Sequence, residues 1–196
     1  MKNFNFDRNN AARDFERLPK GAYVVKILNV KYTEGEGDKS DMLRLQVDIV
    51  EGEHKDFFKK QFEADTREDK KWRGVFDIWC PRNDGSERDG WTKKTFDTCF
   101  AAIEDSNPGF RFNGTDENTL KGKVVGAIYY RRDYVKDGAN KEGYSFYKNL
   151  IDADKVRKGT WKAPKDYILA AEESNKVDGD GFLSIPTGSD DEELPF

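Results

Sequence analysis

The chain has 196 residues, 34 of them Lys or Arg and 38 Asp or Glu, with 36% hydrophobic and 37% charged residues. That size and balance describe one soluble domain with appended segments, and the longest apolar run, Val124 to Tyr130, is far below the roughly 20 residues of a membrane span, so no membrane partner is expected. Cys80, Cys99 and the lone His54 supply neither a disulfide framework nor a zinc ligand set, no secretory leader is legible, and the expected setting is cytoplasmic, with no cofactor and no metal.

Residues 1–20 are polar with scattered Phe4, Phe6 and Phe15 and read as an N-terminal arm whose aromatics can dock on the body. From Gly21, just after Pro19, the β-branched and aromatic run to Tyr32 predicts a first strand. Turn chemistry over 33–41 precedes strict alternation, with Leu43, Leu45, Val47 and Ile49 on one face and Arg44, Gln46 and Asp48 on the other, which predicts a half-buried second strand. Lys55 to Phe62 is expected to return as a third strand, closing a meander. The middle, with Trp72, Phe76 and Trp79 among charges, is less regular. Beyond the 81–90 loop, Thr92 is expected to cap a helix carrying Phe96, Cys99, Phe100 and Ile103 at i, i+3, i+4, i+7, until Asn107-Pro108-Gly109 stops it. Lys121 to Asp133 and Gly143 to Ile151 predict a fourth and a fifth strand, joined by a loop whose Asp137-Gly138 reads as an extended hairpin turn. Three strands, a helix and two strands is the order of an OB-fold. The expected class is therefore mainly β with one or two helices: an OB-fold-like five-stranded Greek-key barrel spanning 21–171, ahead of a generic α+β sandwich. Residues 172–196 are expected to form a disordered acidic tail.

Charge is uneven along this layout. From Glu172 to Phe196 eight acids face one base, a net of −7, whereas Lys121 to Asp166 holds twelve bases and six acids, a net of +6. A basic region followed by an acidic tail suits a solvated, soluble surface, and equally suits a polyanion-binding body with a steering tail.

The chain ends Asp190-Asp191-Glu192-Glu193-Leu194-Pro195-Phe196, so four acids and a terminal carboxylate bracket an apolar tripeptide. An aromatic ring beside a carboxylate can enter an apolar pocket rimmed by Arg or Lys, and the proline reduces the disorder lost on binding. This ending closely resembles the acidic tip of bacterial and phage single-stranded DNA-binding proteins, typically Asp-Asp-Asp-Ile-Pro-Phe; Glu192, Glu193 and Leu194 keep its charge and bulk. The body also resembles phage-encoded members through Leu18-Pro-Lys-Gly-Ala-Tyr-Val-Val-Lys-Ile, Gln46-Val-Asp-Ile-Val-Glu-Gly-Glu and Asp154-Lys-Val-Arg-Lys-Gly-Thr-Trp-Lys-Ala-Pro-Lys. The resemblance implies an OB-fold and non-catalytic binding of single strands during phage DNA replication or recombination, in the cytoplasm of a bacterial host cell. It also implies that replication or recombination proteins are recruited through residues 190–196. The family's long Gly/Gln/Pro-rich linker is absent, so a tetramer is not carried over, and a dimer is the favoured homo-oligomer.

Sequence-tolerant strand binding needs cations for phosphates and aromatic faces for bases. Tyr130, Arg131, Arg132, Tyr134, Lys136, Tyr147 and Lys148 line the fourth and fifth strands and their loop, which in OB-folds commonly grips oligonucleotides. Alternation sends about half of such rings to the core, and it sends Arg131 and Arg132 to opposite faces, one of them the binding side. Arg157, Lys158 and Trp161 form a second candidate cluster, and Trp72 and Trp79 a third, each equally readable as ordinary surface with a packing anchor. The first loop, with Glu34, Glu36, Asp38 and Asp41, is acidic and is expected to lie outside the groove. No Walker loop, GxSxG elbow or HExxH is present and His54 reads as a surface residue, so an enzyme, with a nuclease as the chief rival, is not expected. The runner-up is a protein-interaction or recombination-mediator module, or a DNA mimic, acting through its acidic tail without strand binding.

Overall fold

The structure, a computed structural model, describes residues 17–37 and 39–169. The aromatics of the N-terminal arm, the acidic tail and its tip fall outside the described residues.

Strand β1 (Gly21–Thr33) is 13 residues long and serves two neighbours. Its first half pairs antiparallel with β4 (Val124–Arg131), and from Val25 onward it pairs antiparallel with β2 (Met42–Ile49). A register shift between Ile27 and Asn29 lets one strand turn from one partner to the other, the usual effect of a bulge. Strand β3 (Val75–Trp79) continues the sheet beyond β2, and the last long strand (Tyr144–Ile151) lies beyond β4. The two outermost strands approach each other, with the Phe76 and Phe146 rings 6.4 Å apart, so the sheet forms a nearly closed antiparallel barrel. Val25, Ile27, Leu45, Val47, Ile49 and Val125 fill it with no exposed surface. Helix α2 (Glu87–Ser106) sits between the third strand and β4 in the chain and buries Cys99, Phe100 and Ile103. This is an OB-fold-like five-stranded Greek-key arrangement. Its interior also takes Leu18, 1% exposed, so the packed body begins ahead of β1.

Three expectations about the elements are corrected. The stretch predicted as a third strand contains helix α1 (Phe57–Ala64) instead. Its residues come as pairs, Phe57-Phe58 then Lys59-Lys60, which no two-residue period can sort between faces. The buried Asp48 carboxylate accepts the N–H groups of Phe58 and Lys59 at 3.0 and 3.1 Å, satisfying donors that a helix start leaves open. The third strand is β3, where Phe76 and Ile78 turn inward within a segment that reads as irregular because charges surround it. Helix α2 begins five residues before Thr92, since the Ser86 hydroxyl accepts the Asp89 N–H. Three α-helices are described rather than one or two.

The β4 connection is an extended hairpin as expected, with its own short strands β5 (Tyr134–Lys136) and β6 (Ala139–Lys141) leading into β7 (Tyr144–Ile151). Its two-residue turn places Asp137 at φ 53° and Gly138 at φ 71°, the left-handed pair that a tight hairpin requires. After β7, helix α3 (Ala153–Arg157) and a strap over 158–169 cross the outside of the barrel. Val156 sits on Gly126, where an added Cβ would lie 2.7 Å from its methyl. Arg157 forks onto Glu51, and Tyr167 exchanges backbone bonds with Arg131 and Asp133. No helix among the described residues is long and apolar enough to cross a membrane.

Candidate nucleic-acid interface

The register of β1, β2 and β3 sorts their outward residues into three rows. These are Asn29, Gln46 and Val75; Lys31, Arg44 and Asp77; and Thr33, Met42 and Trp79. Among the described residues no helix packs over these rows, and Asn29, Lys31, Thr33, Arg44 and Trp79 are exposed. Trp79 shows 51% of its surface, a high value for an indole in a strand. The Arg44 guanidinium is aimed by two bonds of 2.7 and 2.8 Å to Asp77, while Lys31 carries no ion pair among the described residues. An uncovered strand face with a ring at one end and cations beside it is what sequence-tolerant strand binding uses.

At the hairpin, Arg131 and Arg132 face opposite ways, as alternation requires. Arg131 is drawn inward onto the buried Asp133 at 2.8 Å and reaches Glu142 at 3.4 Å. Its guanidinium holds the Asp133 carboxyl below the usual range, and that carboxylate and Glu142 hold the arginine as a strut. Arg132 is exposed, with no ion pair among the described residues, and its charge opposes the upward push of burial on the Tyr130 hydroxyl. Tyr134 is 49% exposed and pairs with the exposed Lys141 across the hairpin; Lys136 and, farther along β7, Lys148 are also exposed. Tyr130 and Tyr147 meet edge to face at 5.5 Å on the outside of the barrel, each half-buried.

Among the remaining candidates, Trp72 is half-buried against the core, its indole N–H donating to the Val47 and Gly74 carbonyls at 3.0 and 3.1 Å and its ring beside Phe62. Arg157 is occupied by Glu51 and Asp154, and Lys158 lies 3.6 Å from Asp154, so these cations fasten α3. Trp161 is half-buried in a cleft of about 220 Å³ with Ile128, Tyr130, Ala163 and Pro164. In the first loop, Asp41 accepts the Gly35 N–H and the Tyr32 hydroxyl, so one acid is spent on the turn. Residues 190–196 lie outside the described region.

Lys31, Arg44 and Trp91 are absent from the sequence-derived candidates. The first two were legible as the polar face of alternating strands. Trp91, 62% exposed with the Lys94 ammonium 5.8 Å from its ring, stands five positions before Phe96 and so off the apolar stripe of α2. No group of three or more His, Cys, Asp or Glu among the described residues is placed to hold a metal ion.

A family model described as a protein of unknown function, DUF669, matches residues 4–63, a stretch that includes β1, β2 and nearly all of α1. No curated protein matches the chain.

Proposed function

We propose that this protein binds single-stranded DNA without strong sequence preference, in replication or recombination of phage DNA within a bacterial host, and recruits protein partners through residues 190–196. The observation that carries the reading is the uncovered face of β1, β2 and β3, with Trp79 half exposed and Lys31 and Arg44 one row away, in an OB-fold-like barrel. The second and third strands and the hairpin before the last strand are the surfaces with which such barrels hold oligonucleotides. Here that hairpin presents Arg132, Tyr134, Lys136 and Lys141, all exposed. Strand contact combines phosphate neutralisation with stacking on Trp79 and Tyr134, and base identity matters little because every base has a π face. Arg131, Arg157 and Trp72 support the frame rather than the strand.

Titration of the full chain with oligo-dT, followed by tryptophan fluorescence, tests this. The expected result is quenching that salt reverses, with a slope of about 0.7 per phosphate contact and several contacts in all. Absence of binding at low salt would overturn it in favour of an interaction module working through the tail, and metal-dependent cleavage of the oligonucleotide would overturn it in favour of a nuclease.

A further inference from the structure

Beside the hairpin, the strap over 158–169 pairs with Arg131 and Asp133 and leaves a cleft against β1 and β4. Its volume is about 220 Å³, and Lys20, Tyr130, Trp161 and Asp166 are in its lining. Ile128, Ala163 and Pro164 are apolar, and Tyr130 and Trp161 add two ring walls. The polar groups are an ion pair, with the Lys20 ammonium donating to Asp166 Oδ2 at 2.6 Å. Lys162 and Lys165 flank the apolar pair Ala163-Pro164 in the chain and are exposed.

We propose that this cleft captures one base of the bound strand, and that the Asp166 carboxylate favours bases bearing an exocyclic amine; this rests on the strand-binding reading. The cleft supplies what a flat heterocycle requires: ring and apolar walls for its faces, and polar groups for its edge. A carboxylate accepts hydrogen bonds only, and it has lone pairs beyond the one that Lys20 occupies. It therefore receives the amino group of cytosine or adenine and repels the carbonyl oxygen that thymine presents at the equivalent edge. Lys162 and Lys165, exposed on either side of Ala163-Pro164 in the chain, supply cations for the phosphates flanking a captured base. An apolar peptide side chain would leave the acceptor unused, so a base matches the lining better.

The test compares oligo-dC with oligo-dT of equal length on the full chain at one salt concentration, by anisotropy and by tryptophan quenching. The expected preference for dC is about tenfold, the lower end of what one hydrogen bond to a charged acceptor is worth. Asp166→Asn should abolish that preference. Ala163→Leu, at an exposed position, should fill the cleft and weaken dC binding severalfold at an unchanged salt slope and melting temperature. Trp79→Ala should weaken both oligonucleotides and leave their ratio intact. Should Ala163→Leu fail to fold, Trp161→Phe keeps a ring on the wall and should retain the ratio while losing part of the quenching. Equal affinity of the unaltered chain for dC and dT, dC binding unaffected by Ala163→Leu, or full quenching in Trp161→Phe would each overturn the cleft while leaving strand binding in place. Failure of the unaltered chain to bind either oligonucleotide would instead overturn the strand-binding reading, and the cleft with it.

Discussion

Strand β1 has two outer surfaces. Along its first half the outward residues Ala22 and Val24, with Gly126 and Ile128 beside them on β4, lie under or beside α3 and the strap. Along its second half Asn29, Lys31 and Thr33 face solvent beside Arg44 and Trp79. Small and apolar groups demand a cover, and the chain supplies one through Val156 and Trp161; polar groups need none, so that side of the same strand remains free to meet a ligand. Exposure of a ring on a face that needs no cover is more informative than exposure elsewhere, and on this ground Trp79 outranks Trp161 as a candidate for the stacking proposed above.

The two tryptophans bounding β3 provide the largest test of this contrast. Trp72→Ala should cost about 3 to 5 kcal/mol in urea unfolding, because it removes a packed ring and two indole bonds. Trp79→Ala should change stability by less than about 0.5 kcal/mol. Comparable losses from both would erase the distinction between frame and interface. Next comes Gly126→Leu, which drives a side chain into Val156 and the Ile151 carbonyl and should cost about 2 to 3 kcal/mol by lifting α3. An unfolding midpoint that does not move would show that the cover is not seated there.

On the uncovered side, Trp79→Ala should lower oligo-dT affinity about tenfold, the worth of one stacked base, with the salt slope retained. Lys31→Ala should do the converse, reducing the slope by about 0.7 with a smaller change in affinity. A slope untouched by Lys31→Ala would move the phosphate path away from this face. The smallest effect belongs to the covered side and appears in acid. Glu51 and Asp154 have carboxyls held below their usual range, first by hydrogen bonds from Arg157. A depressed folded-state pKa adds stability that is complete above the unfolded value near 4 and is lost as pH falls through the folded one. Glu51 is well exposed, so Glu51→Gln should remove no more than about 1 kcal/mol at neutral pH and should flatten the decline in unfolding midpoint below pH 4. An acid limb identical in both proteins would exclude the Arg157 fork as a fastener of α3.

Much of this arrangement was legible in the chain. Alternation in Leu43 to Ile49 and the apolar run from Val124 marked β2 and β4, the stripe from Phe96 to Ile103 marked α2, and Asp137-Gly138 marked the hairpin turn. The third strand was not legible, because Val75 to Trp79 is only five residues long and its inward pair, Phe76 and Ile78, is too short a signal to stand out among charges. The helix at Phe57 was obscured because its start is secured by Asp48, a residue in another element. Among the candidate cations, Arg131 and Arg132 were indistinguishable in sequence, since what separates them is Asp133 and Glu142 closing on one of the two.

Composition and periodicity thus determined four of the barrel's five strands, helix α2, the hairpin and the polar side of β2, because a two-residue or 3.6-residue period is a local property of the chain. Which rings stay in solvent was decided only by the tertiary structure. Exposure depends on what a distant segment places on top: Val156 and the strap cover one end of β1, and nothing among the described residues covers the other. Spacing along a strand assigns a side chain to a face, but only packing between elements assigns that face to the interior, to a cleft or to water.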